Sequence, residues 1–181
     1  MSLRLRPSNI TSKENIKMGC DIHAFLEVKS RYSEHWHSFT HEPLCPGRNY
    51  ELFTLLSNVR GQCDEPMATP GWPKDVSYSA KSWNLVRISN TGNPHDAAVS
   101  KEKADEWTRN GMSQVVYDED GNPMGVTHPD WHSHGHCDVE TLAKALRKSK
   151  ANCTHWKAVL AAARAFEKDG DKVRFLFAYD N

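Results

Sequence analysis

The closing run Val173-Arg174-Phe175-Leu176-Phe177-Ala178-Tyr179 limits the fold more than any other segment. Only Arg174 interrupts its apolar character, as expected of a central strand covered on both faces. The run is far shorter than the roughly 18 apolar residues that a membrane span needs, and no other apolar stretch approaches that length. From Cys20 to Val28 the chain alternates instead. Ile22, Ala24, Leu26 and Val28 point one way, and Asp21, His23, Phe25 and Glu27 the other. That period of two marks a second strand.

Helical patterns lie between them. Leu52, Phe53, Leu55, Leu56 and Val59 form one stripe, with Asn49 placed to cap its start and Gly61 near its end. Asp138 opens a helix reaching about Lys148, and Thr154 caps another that Gly170 stops. Residues 97–110 read as a mostly exposed helix closed by Gly111. Residues 34–40 and 84–89 read as short strands, and 113–118 with 124–128 as a hairpin turning through Glu119 to Pro123. Residues 61–83 hold three prolines and two glycines and predict a long irregular loop. The polar segment 1–17 reads as a flexible N-terminal extension. The sum is one α+β domain over 18–181: a small mixed or antiparallel sheet packed with three to four helices and carrying long functional loops.

Charge and cysteine content exclude several classes. Lys and Arg total 23, as do Asp and Glu, so the net charge is zero. That argues against bulk nucleic acid as partner. The five cysteines are odd in number and form no CxxC, which disfavours a disulfide framework or a four-cysteine zinc ribbon and predicts a reducing cytoplasm. Walker A, GxGxxG, HExxH and GxSxG patterns are absent from the sequence, as is the Pro-Cys-x-x-Cys of zinc deaminases.

Ten histidines stand out, four of them between positions 128 and 136. In an extended segment Asp130, His132, His134 and His136 share a face and can converge on one ion, or present three imidazoles as open zinc sites do. A solvated histidine-rich loop is the plainer reading. Asp21 and His23 likewise share a strand face, either as metal ligands or as a hydrogen-bonded pair at a strand edge. His35 and His37 repeat that spacing beside Glu34, where surface positions explain them equally well. Arg48 and Arg60 flank the helix of residues 50–59, where each can grip a phosphate bidentately or remain solvated. Asp75 is a candidate ligand or base, or a cap for Val76-Ser77. Asp180 follows the last strand, where sheet-end carboxylates often face a site. Cys20 and Cys137 adjoin the two clusters, as soft ligands or as inert buried thiols.

Met18-Gly19-Cys20-Asp21-Ile22-His23 resembles the opening of an uncharacterised family of small phage and bacterial proteins that begin with those six residues. Four further segments are similar to it: Arg48-Asn49-Tyr50 running on to Val59-Arg60, Gly71 to Ser77, Trp131-His132-Ser133-His134 with Glu140, and Val173 to Asn181. The family pattern has Ser at the place of Gly135 and no imidazole at that of His136, which favours His132 and His134 as ligands. The resemblance implies Met18 as the original start. It also implies that Asp21, His23, His132 and His134 belong to one site, and it carries no activity of its own.

The expectation is therefore a metal-dependent hydrolase of a phosphate-containing small molecule or nucleotide. Asp21, His23, His132 and His134 would hold a divalent ion, Zn first and Mn or Mg next. Asp75, Asp130 or Asp180 would complete the shell or act as base, and Arg48 or Arg60 would steady the anionic substrate. The alternative is a non-catalytic phage-type protein that sequesters a nucleotide signal or covers a host protein in the host cytoplasm. A structural or assembly role is a third reading.

Overall fold

The computed structural model describes residues 19–89, 98–118, 120–151 and 153–180. The segment 1–17, Met18, His95, Ala97, Glu119 and Asn181 lie outside the described residues. In chain order the elements are β1 (Ile22–Lys29), β2 (His37–Ser38), α1 (Tyr50–Ser57), β3 (Thr69–Pro70), α2 (Tyr78–Trp83), β4 (Leu85–Ile88) and β5 (Ala98–Val99). There follow α3 (Lys101–Arg109), β6 (Val115–Tyr117), β7 (Pro123–Thr127), β8 (His132–Cys137), α4 (Val139–Lys148), α5 (Thr154–Lys168) and β9 (Lys172–Tyr179). The α+β class holds. The strands divide into two sheets, of order β2-β1-β9-β8-β3 and β5-β4-β7-β6. Among the described residues, no helix is long and apolar enough to cross a membrane.

β9 occupies the centre of the larger sheet, antiparallel to β1 and β8. Its continuous apolar run has a direct cause. Val173, Phe175, Phe177 and Tyr179 join Ile22, Ala24 and Leu26 in a core covered by Leu52, Phe53 and Leu56 of α1, Leu142 of α4 and Trp156 of α5. On the other face Leu176 and Phe25 meet Ala80, Trp72, Val76 and Trp131. The second cover comes from residues 61–83, which contain β3 and α2 where the proline and glycine content pointed to irregular loop alone.

Local signals set the helix starts. Asn49 accepts from Leu52 N and Asp138 accepts from Thr141 N, so each carboxyl or amide oxygen satisfies an orphan N–H. α5 differs, because its capping position is Cys153 rather than Thr154 and makes no side-chain capping bond. The stretch 34–40 yields only the two-residue β2, since Ser33 Oγ and Ser30 hold its start in turns.

One buried ion pair ties the second cover to the sheet. Glu27 is fully buried on β1 and accepts from Arg174 Nε at 2.7 Å and from Ser77 N at 2.6 Å. Arg174 also donates to Asp75 Oδ1 at 2.9 Å and lies 3.9 Å above the Trp36 ring. This explains the lone charge in the closing run: Arg174 is the counter-ion of a strand residue that has no water.

Candidate active site

A side-chain relay is assembled at the opposite end of the same strands. Leu44 forms an isolated antiparallel bridge with Ala24, exchanging hydrogen bonds of 2.9 and 2.7 Å. Antiparallel register then sets Cys45 opposite His23, and paired residues project to one face. Cys45 Sγ lies 3.4 Å from His23 Nδ1. The other ring nitrogen, Nε2, lies 2.9 Å from Asp180 Oδ2. Asp180 follows β9, where Ile22 pairs with Tyr179, so it reaches His23 diagonally. Its second oxygen accepts from Asp21 N at 2.9 Å, which fixes the carboxylate. On the far side His132 pairs with Tyr179, and the preceding Trp131 stacks on the His23 ring at 4.7 Å and 14°.

The surroundings differ along this relay. The His23 side chain is 17% exposed, whereas Cys45 is at the surface. His23 is held protonated well above the usual imidazole range, to about 9. The hydrogen bond to the Cys45 sulfur contributes most and the Asp180 carboxylate adds to it, while burial opposes both. Burial pushes the Cys137 thiol up to about 12 and raises that of Cys20. Burial favours the protonated form of those two thiols, whereas Cys45 is exposed and lies beside the His23 imidazole.

Asp21 has a partner of its own beside His23. It forms a bidentate pair with Arg48, Nε to Oδ1 at 2.7 Å and Nη2 to Oδ2 at 2.9 Å, which holds its carboxyl below the usual range. Gly19 makes room for this pair, since a Cβ there would overlap the Arg48 guanidinium. Arg60 lies beside Cys20. Asp75 sits with Arg174 and Trp36. Asp130 is exposed, with Oδ2 4.0 Å from His128 Nδ1.

The histidine cluster does not keep a strict alternation. Ser133 has φ of 49° and the β8–β9 register shifts between His132 and Gly135. His132 packs on Tyr179, His134 meets the edge of Trp72, and His136 Nδ1 lies 2.8 Å from Gly71 O. His132 and His134 line a cavity of their own with Trp131. Among the described residues, no three His, Cys, Asp or Glu side chains converge in a way that could hold a metal ion.

The sequence pattern gives Cys45 no role and offers Asp180 as a ligand or base of a metal site, not as the partner of His23. The available signal was the setting Pro43-Leu44-Cys45-Pro46-Gly47, in which prolines on both sides of a cysteine stiffen a loop against β1. No protein-family model, no curated protein and no solved structure matches this chain.

Proposed function

We propose that the protein is a thiol-dependent hydrolase acting on an acyl substrate. The observation that carries this reading is the Cys45–His23–Asp180 relay, a nucleophile, a base on its sulfur and a carboxylate on the base's second nitrogen. The proton shared with Cys45 rests on His23, which leaves a thiolate–imidazolium pair, and Asp180 holds the imidazolium in orientation. The thiolate attacks the substrate carbonyl carbon, forming a C–S bond. The C–N or C–O bond breaks as the imidazolium returns the proton to the leaving group. Water, deprotonated by His23, then releases the acid and regenerates the thiol. Trp131 covers one face of the imidazole and restricts its rotation.

Alkylation by iodoacetamide with mass-spectrometric site assignment tests the reading. Cys45 is expected to react well ahead of Cys20 and Cys137 at pH 7, and His23→Gln is expected to slow Cys45 by at least about tenfold. Equal rates in the two proteins would remove the base from the account. Hydrolysis of p-nitrophenyl acetate, absent in Cys45→Ala, is the accompanying activity assay.

The metal-dependent hydrolase has one supporting observation of its own, the imidazoles of His132 and His134 side by side in a cavity. It predicts zinc on elemental analysis and activity lost to a chelator. The thiol reading predicts activity that a chelator leaves intact.

A further inference from the structure

Three buried side-chain polar atoms lack a hydrogen-bond partner among the described residues: Asn84 Oδ1, His132 Nε2 and His134 Nε2. All three residues line one cavity of about 650 Å³. Buried polar groups are almost always paired, and each unpaired one costs free energy. Three on residues that line one space of small-molecule size point to a ligand site there.

The walls define the ligand's chemistry. The described lining residues include no Lys, Arg, Asp or Glu. An ionic group would therefore enter without a counter-charge, which is strongly unfavourable. Trp72 and Trp131 supply aromatic surface, with ring centroids 6.5 Å apart and planes at 76°. Aromatic walls favour a flat ring. Asn84 Oδ1 accepts only, so the ligand must bring a donor. The two imidazoles, each donor or acceptor according to tautomer, match a mixed hydrogen-bonding edge.

We infer that this cavity binds an uncharged planar heterocycle bearing N–H donors, of the nucleobase class. Asn84 comes from the junction of α2 and β4, and the two histidines from β8, so the ring bridges the two sheets. Trp131 lines this cavity and also stacks on His23. Resting on the thiol-hydrolase reading, the heterocycle is the recognised part of a substrate whose acyl group lies at Cys45.

The test uses Cys45→Ala protein, in which binding is read without chemistry, so the cavity and the relay succeed or fail separately. Adenosine, guanosine, cytidine and uridine are titrated against tryptophan fluorescence, with calorimetry as confirmation. At least one nucleoside is expected to bind with sub-millimolar affinity. Asn84→Leu and His134→Leu are each expected to weaken it at least about tenfold. Circular dichroism reports the fold of every variant. The proposal is overturned if no nucleoside binds, if binding survives both leucine substitutions in folded protein, or if Zn²⁺ alone binds tightly and requires both histidines.

Discussion

Glu27 and Arg174 face each other across β1 and β9 as a buried ion pair, with Nε to Oε2 at 2.7 Å and exposures of 0% for the glutamate and 12% for the arginine. Removing one member leaves the other charged and without water. Arg174→Met is expected to destabilise the protein by roughly 3–5 kcal/mol in urea unfolding. Asp75→Ala removes the exposed member of the same network and is expected to cost under about 1 kcal/mol. Equal losses for the two would show that burial is not what makes the pair matter.

Stability is expected to carry the signature of His23 at alkaline pH. Its folded pKa, about 9, stands above the ordinary 6.5 of a free imidazole. The folded state therefore holds the proton more tightly. That contribution is fully present below about pH 6.5 and is lost as pH rises through about 9, with an upper bound of roughly 3 kcal/mol. Unfolding free energies of the native protein and His23→Gln, measured from pH 6 to 10, should converge as pH rises.

His134 works in the opposite sense. Burial lowers its folded pKa to about 4, so the unfolded chain takes up a proton first as pH falls. Stability is expected to decline between about pH 6.5 and 4. The His134→Gln variant should show a shallower decline over that interval. A parallel pair of curves would mean that the ring titrates freely.

Gly135 lies directly over the Phe177 ring, where an added Cβ would overlap ring carbons. Gly135→Ser is expected to cost roughly 1–3 kcal/mol unless Phe177 gives way. Thermal unfolding of Gly135→Ser alone and with Phe177→Leu distinguishes the two outcomes. Rescue by the second substitution is the expected result.

The elements readable in the sequence are those whose cause is local. Alternation from Cys20 to Val28 and the apolar run at 173–179 both became strands, because side-chain period answers to the layer above and below. Asn49 and Asp138 cap helices through bonds that span three residues. The relay has no such locality. His23 and Asp180 are 157 residues apart, and Cys45 reaches His23 through a single bridge that no periodicity announces. Likewise the Ser133 irregularity turns on how β8 meets β9, so the assumption of one shared face for Asp130, His132, His134 and His136 had nothing in the sequence to correct it. The same holds for Arg48, whose partner Asp21 is 27 residues away.

The segment carrying Cys45 is fastened to the larger sheet by the two backbone hydrogen bonds of the Ala24–Leu44 bridge and, three residues on, by the half-exposed Arg48–Asp21 pair. β1 and β9, by contrast, pair along eight positions. Opening free energies within one protein range from near zero to the full unfolding value, according to how much must be broken. The nucleophile thus sits on a latch that can lift while its base and carboxylate stay seated. Amide exchange at Leu44 would run ahead of that at Ala178, and anything that presses on this short latch governs the reactivity of the thiol without touching the core.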